Sequence, residues 1–247
     1  MYMEYRVVEK FISINGEGQR AGELSAFIRF AGCNLRCNYC DTAWALSHKV
    51  GETETTEDII GFIRESGVRD VTLTGGEPLD RPGIAELIAR LLIQDADDDS
   101  RCLRVEIETN GAVPVEETRE AVRRILGEVS HETSATVEEI MNRLSMTLDY
   151  KCPGSGCESA MLMENYECVE PQDTVKFVVS DTADLDRMRE IVERYKLTEK
   201  CTVYVSAVFG RITPADIVDY MKQYCMNDVR LQLQIHKYIW DPQLRGV

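Results

Sequence analysis

The feature that most restricts the fold is an alternation of short β-branched runs with stretches whose apolar residues recur at helical period. Runs at 25–30, 71–74, 103–108, 146–150, 174–179, 202–206 and 229–235 read as strands, each bounded by turn residues. Between them, 56–65 places Ile59, Ile60, Phe62 and Ile63 on one face, with Gly67 as its stop. Pro82 opens 83–92, which turns Ile84, Leu87, Ile88, Leu91 and Leu92 inward. Segments 116–126 and 184–195 follow the same period. Thr213-Pro214-Ala215-Asp216 supplies a cap, a first-turn proline and an early acid for a helix over 215–223. About six such β–α units imply parallel strands with right-handed crossovers, in a barrel or an open sheet. An acidic tract at 95–99, a polar stretch with a short amphipathic helix in 127–144 (Val137, Ile140, Met141, Leu144), and a long excursion at 152–171 interrupt the rhythm. None has the composition of an interdomain linker, so a single domain over 1–247 is expected.

Charge narrows the partners. With 28 Lys and Arg against 43 Asp and Glu, the net charge is −15, which argues against nucleic acid, whose binding rests on clustered basic residues. No apolar run approaches the ~20 residues that cross a bilayer, and the start MYMEYRVVEK lacks the apolar core of a signal peptide. A cytoplasmic protein without membrane contact is the expectation. In that compartment nine irregularly spaced cysteines are a poor disulfide framework. Cys102, Cys201 and Cys225 read as small hydrophobes near element ends.

One cysteine group resists that reading. Directly after the first strand comes Gly32-Cys33-Asn34-Leu35-Arg36-Cys37-Asn38-Tyr39-Cys40-Asp41-Thr42. Three thiolates at spacings of four and three each reach one iron of a cubane and leave the fourth iron open to an exogenous ligand. A Cys₃His zinc site completed by His48 is the rival arrangement. Cys152, Cys157 and Cys168 are unevenly spaced and read as loop thiols, with a second metal site as the alternative.

The C-x-x-x-C-x-x-C loop resembles the signature of the radical S-adenosylmethionine (SAM) superfamily, and two later segments agree in order. Thr74-Gly75-Gly76-Glu77-Pro78 resembles the GGEP segment that hydrogen-bonds the cofactor's amino group, and Glu106-Ile107-Glu108-Thr109-Asn110-Gly111 resembles the strand end that contacts its ribose. Three matches at successive strand ends sit where barrel active sites gather. Nearly end to end, the chain is similar to the 7-carboxy-7-deazaguanine synthase family within that superfamily. The similarity runs through Ile14-Asn15-Gly16-Glu17-Gly18, Phe27-Ile28-Arg29, Cys40-Asp41-Thr42, Asp149-Tyr150-Lys151, Gln234 to Trp240 and Arg245-Gly246-Val247.

The resemblance implies an α/β fold of the partial (βα)6, TIM-like barrel type, with a short N-terminal substrate-binding segment and a C-terminal tail that closes the site. It implies ring contraction of 6-carboxy-5,6,7,8-tetrahydropterin to 7-carboxy-7-deazaguanine with loss of ammonia, on the way to queuosine or other 7-deazapurines. The implied cofactors are a [4Fe–4S] cluster, SAM and Mg²⁺, and no side chain is the catalytic group, because the radical is generated on SAM. By the same resemblance Cys33, Cys37 and Cys40 hold the cluster and Thr42 the Mg²⁺. Tyr39, Cys40, Asp41, Gly76, Glu77, Glu108, Lys151 and Ser206 meet SAM, and Ile14, Asn15, Gly16, Arg29, Thr74 and Val247 the pterin, Val247 through the terminal carboxylate. Bidentate pairing suits Arg29 to a substrate carboxylate, and a hard hydroxyl oxygen suits Thr42 to Mg²⁺; a capping role is the other reading of Thr42. Two blocks depart from the family. Asn15 stands where Gln is more frequent, and Asp149-Tyr150-Lys151 stands where many relatives carry Ser-Pro-Lys, so that only Lys151 carries over. A flavodoxin- or ferredoxin-type electron donor and a homodimer are also implied. A glycyl-radical-enzyme activating enzyme shares the cysteine loop and is the alternative activity; a zinc-bearing binding module is the non-catalytic one.

Overall fold

The computed structural model describes residues 3–129, 133–241 and 244–247. All seven expected strands are present, as β2 (Leu24–Phe30), β4 (Asp70–Gly75), β5 (Arg104–Thr109), β6 (Leu144–Tyr150), β7 (Thr174–Val179), β8 (Thr202–Ala207) and β9 (Val229–Leu231). They pair in parallel in that order. Two more strands were not expected. β1 (Glu4–Ile14) pairs antiparallel with β2, and β3 (Glu52–Thr55) antiparallel with β1, giving the order β3-β1-β2-β4-β5-β6-β7-β8-β9. The expected strand 229–235 stops at Leu231, and Leu144 opens β6 instead of ending the short amphipathic helix.

The helices are α1 (Thr56–Ser66), α2 (Ile84–Leu92), α3 (Val115–Val129), α4 (Val137–Met141), α5 (Thr182–Tyr195), α6 (Leu197–Lys200), α7 (Pro214–Gln223) and α8 (His236–Ile239). The Thr213 cap is realised as a full capping box with Asp216, and Gly67 ends α1 in the left-handed conformation. Among the described residues no helix is long and apolar enough to cross a membrane.

Strand alternation explains the layers. Val71, Leu73, Val105, Ile107, Met146, Leu148, Val175 and Phe177 join the apolar faces of α1, α2, α3 and α5 in one core. The residues between them, Thr72, Thr74, Glu106, Glu108, Thr147, Asp149 and Lys176, take the opposite face. An ordinary barrel fills that interior with branched apolar side chains. Here it is hydroxyls and charges, in an incomplete TIM-like barrel.

The β1–β2 connection floors this interior. Backbone bonds between Asn15 and Glu23 (2.8 Å) and between Gly22 and Asn15 (2.8 Å) close the loop. The Gln19 amide donates to Asp173 O (3.0 Å) and Thr174 Oγ1 (3.2 Å) at the start of β7, and Arg20 pairs with Asp70 (3.1 Å) at the start of β4. Gln232, just past β9, both donates to and accepts from the Gly18 backbone (3.0 and 2.9 Å), tying the last strand to the floor.

Candidate active site

The cysteine loop leaves β2 at the C-terminal rim of the parallel strands. Cys33 is buried and Cys37 and Cys40 are half-buried, and all three are free thiols. Cys33 Sγ accepts from the Leu35 N–H (3.4 Å) and from the Asn110 side-chain amide (3.5 Å). That amide also reaches Asn34 Oδ1 (2.7 Å), so the end of β5 fixes the loop's first turn. Burial pushes the Cys33 thiol up and the Cys37 thiol up to about 12, a bias that bound iron must overcome by drawing off the proton. Arg36 folds back onto the carbonyls of Cys33 (2.7 Å) and Leu35 (2.6 Å). Among the described residues no three His, Cys, Asp or Glu converge on a single ion. His48 packs its ring against Gly32 and its Nδ1 lies 3.0 Å from Arg81, so the Cys₃His zinc arrangement is not assembled. A cubane asks each thiolate to hold a different iron, which three cysteines on one loop can do. The thiolate-only donor set fits it.

The Gly75-Gly76-Glu77 turn lies under that loop. Gly76 N–H donates to Phe30 O (3.0 Å) and Glu77 N–H to Gly32 O (2.9 Å). A Cβ on Gly76 would stand 1.8 Å from Gly32 O, so glycine is what lets the two strand ends touch. The Glu77 carboxylate is fully buried and already engaged, accepting from Leu79 N–H (3.0 Å), Thr109 Oγ1 (2.8 Å) and Asn110 N–H (2.7 Å). Burial raises it to about 7 against those donors. Its side chain therefore holds the rim together through Oε1 and one bond on Oε2.

Facing the interior is a ladder of charges. Glu17 pairs with Lys176 (2.6 Å), and Asp149 with Lys151 (2.6 Å). Burial alone would lower both lysines, but the neighbouring carboxylates hold them raised. Burial acts to raise Asp149, and Lys151 with Lys176 overrules it, leaving Asp149 lowered and ionised. Thr74 donates to Glu108 (2.6 Å), and Thr147 to Glu106 (2.6 Å), whose carboxyl burial and then Glu108 push up to about 7. Glu17 Oε1 and Asp149 Oδ1 have no hydrogen-bond partner. Asp149 keeps 25% of its side-chain surface accessible, although the bare oxygen itself, like that of Glu17, is buried. Carboxylate oxygens left bare in this way are acceptors for a ligand's N–H groups. A surface hollow of about 460 Å³ among Ala183, Asp186, Arg187 and Glu190 on α5 contains none of these groups.

The other expected residues distribute as follows. Asn15 is buried on the floor, accepting from Thr72 (3.2 Å) and reaching Glu106 (3.5 Å); Ile14 ends β1 beside it. Gly16 is roofed by His236, whose ring nitrogen would lie 2.0 Å from a Cβ there. Arg29 is committed to Glu9 on the unforeseen β1 (2.8 Å), 5.9 Å from the centre of the Trp44 ring. Tyr39 donates to Val178 O (3.0 Å) and carries Arg211 over its ring. Asp41 is exposed on the rim. Ser206 donates to Gln232 O (3.0 Å), which places it in the floor clasp. Thr42 is the N-cap residue of a single 3₁₀ turn, yet its side chain makes no capping bond and lies 3.7 Å from Cys40 Sγ. The tail returns to the same place, with the Arg245 guanidinium 4.1 Å from the Trp44 ring centre and Val247 half-buried.

Sequence reasoning left Lys176 and the orphaned Asp149 oxygen unassigned, and gave His236 no role beyond its place in a resembling block. His236 enters from α8, where burial lowers it while Glu17 and Asp41 act in the opposite direction. The signal for Lys176 and Asp149 was present: a charge within a strand whose neighbours are apolar has to face something polar.

A parallel βα sheet with a three-cysteine loop at its C-terminal rim and a glycine turn beneath it defines a radical SAM protein, and residues 27–147 match the family model "Radical SAM superfamily". The 7-carboxy-7-deazaguanine synthase of Clostridium acetobutylicum is 48% identical over 99% of this chain and 100% of its own length. That of Leptospira interrogans is 33% identical over 98% of this chain and 97% of its own. The crystal structure of QueE from Escherichia coli has the same fold, with a TM-score of 0.59, 19% identity and coverage of 93% and 94%. The chain belongs to the 7-carboxy-7-deazaguanine synthase family.

Proposed function

We propose that the protein contracts the ring of 6-carboxy-5,6,7,8-tetrahydropterin to 7-carboxy-7-deazaguanine with release of ammonia, in 7-deazapurine and queuosine biosynthesis. The observation that carries this is the pair of bare carboxylate oxygens, Glu17 Oε1 and Asp149 Oδ1, in a polar interior below a CxxxCxxC loop. A pterin's amino and ring N–H groups and the ammonium of SAM are donors of the kind such oxygens lack.

When bound, the cluster and SAM supply the reductive cleavage that starts the reaction. Cys33, Cys37 and Cys40 would hold the cluster, and Asn110 keeps the first of them in place through Nδ2. Asp149, held ionised by Lys151, would accept from the SAM amino group or the pterin. Glu17, fixed by Lys176 through one oxygen, offers the other to the pterin's N–H edge from below. Arg29 and the uncapped Thr42 hydroxyl flank Trp44, where the substrate carboxylate and Mg²⁺ would meet. His236, packed on Gly16, and Arg245, packed on Trp44, would border the bound pterin. The flavodoxin- or ferredoxin-type donor, the homodimer and the cytoplasmic setting rest on the family resemblance alone.

The test is anaerobic reconstitution and turnover with the pterin, following product and 5′-deoxyadenosine. Product that depends on the pterin supports the reading; SAM cleavage without any pterin-derived product refutes it. Thr42→Ala should keep the iron content and lose stimulation by Mg²⁺. Unchanged metal dependence in that variant removes Thr42 from the metal site.

A further inference from the structure

Cys157, on the excursion that follows β6, has no part in the chemistry above, yet its thiol interacts directly with that of the cluster cysteine Cys37. Two loops hold them together. Asn38 N–H donates to Ser155 O (2.9 Å), and the Asn38 side-chain amide reaches Gly154 O (3.5 Å). A Cβ on Gly156 would meet the same amide at 2.9 Å. The excursion is anchored in turn, with Gly154 N–H on Asp184 Oδ1 (2.8 Å) and Cys157 N–H on Ser155 Oγ (3.0 Å). Gly156, at a φ of +74°, takes the left-handed turn that lets the excursion pass this close to Asn38.

We propose that Cys37 and Cys157 form a reversible disulfide whenever Cys37 holds no iron, so that the cluster enters only after this pair is reduced. With a small disulfide such as oxidised glutathione as oxidant, the Cys157 thiolate attacks one of its sulfurs and expels the first small thiolate. The Cys37 thiolate then attacks the Cys157 sulfur of the mixed disulfide and expels the second. The two protein thiols lose two protons and two electrons, and the small disulfide leaves as two thiols. The bond rests on the contact between the two loops and on the thiol–thiol interaction it permits; the gating of cluster entry rests on the proposed function, with Cys37 as a cluster ligand.

The experiment uses the full cluster-free chain equilibrated with oxidised glutathione, alkylated and digested without reductant. A Cys37–Cys157 linked peptide is the expected product, with Cys33 and Cys40 recovered alkylated. The oxidised protein, given iron and sulfide anaerobically without dithiol, should lose most of the charge-transfer absorption that the reduced protein gains, and Cys157→Ser should load equally well after either treatment. Recovery of Cys157 as a free alkylated thiol would overturn the proposal, and so would an oxidised Cys157→Ser protein as resistant to loading as the wild type. Reduced wild type that takes up no cluster would instead overturn the cluster reading, and with it the gating, while leaving the mapped disulfide in place.

Discussion

The floor and the rim of the polar interior use the same kinds of side chain to opposite ends. On the floor, Gln232 and Gly18 exchange two hydrogen bonds, Gln19 divides its amide between β7 and the segment before it, and Asn15 sits between Thr72 and Glu106. At the rim the Thr42 hydroxyl caps nothing, and below it one oxygen each of Glu17 and Asp149 lacks a partner. Buried polar groups that satisfy one another serve the fold, whereas those left bare mark where another molecule completes the set. Substitutions should therefore divide the two regions, with function lost at the rim and stability at the floor.

The largest separation is expected at Cys37. Cys37→Ala should reduce SAM cleavage to background and lower bound iron, while the melting temperature moves by less than about 2 °C, as for a half-buried loop side chain at the edge of the core. Anaerobic iron analysis and thermal unfolding of the cluster-free proteins check it. A cluster-free variant that melts far below the cluster-free wild type would show that the rim loop also carries the fold.

The reverse is expected at Lys176. Its ammonium faces Glu17, Asp149 and Glu108, so Lys176→Met leaves buried carboxylates without their cation. Breaking such a pair from one side costs roughly 3–5 kcal/mol, to be read as a drop in the urea midpoint. Lys176→Met combined with Glu17→Gln should recover part of that loss. A single variant within about 1 kcal/mol of wild type would mean that water, and not the lysine, balances the ladder.

How much of this was legible follows from separation along the chain. The cluster loop is local: three cysteines within eight residues announce a metal-ligand set, open to a cubane or to a Cys₃His zinc site. The parallel strands were legible for a similar reason, since each is a short apolar run with its own turn residues. β1 was missed because its sequence EYRVVEKFISI mixes charges into the run and its register shifts between Val7 and Glu9. That omission hid the Glu9 partner of Arg29. The floor clasp joins Gly18 to Gln232, and the ladder joins Glu17 to Lys176, pairs that no local pattern connects. The run 229–235 was read too long because its last residues look like strand but turn inward to reach Ser206 and Gly16.

Glu106 lies between the two regions and gives the smallest effect. It accepts from Thr147, and burial followed by the Glu108 charge raises it from its ordinary 4.5 to about 7. Between those values the folded chain keeps a proton that the unfolded chain has released. Stability from this group is therefore fully present below about pH 4.5 and is lost as pH rises through about 7. Wild-type unfolding free energy, measured in urea at intervals from pH 5 to pH 7, should fall more steeply than that of Glu106→Gln, by at most ~1.4 kcal/mol per pH unit, the slope of one proton. Glu77, also raised to about 7, makes the variant's own stability fall with pH over the same range. The amide still accepts from Thr147 through its oxygen, so the comparison removes the titration and keeps the contact. Equal slopes would show that Glu106 is already ionised in the folded chain, and that the bare acceptors of the interior extend down to the floor.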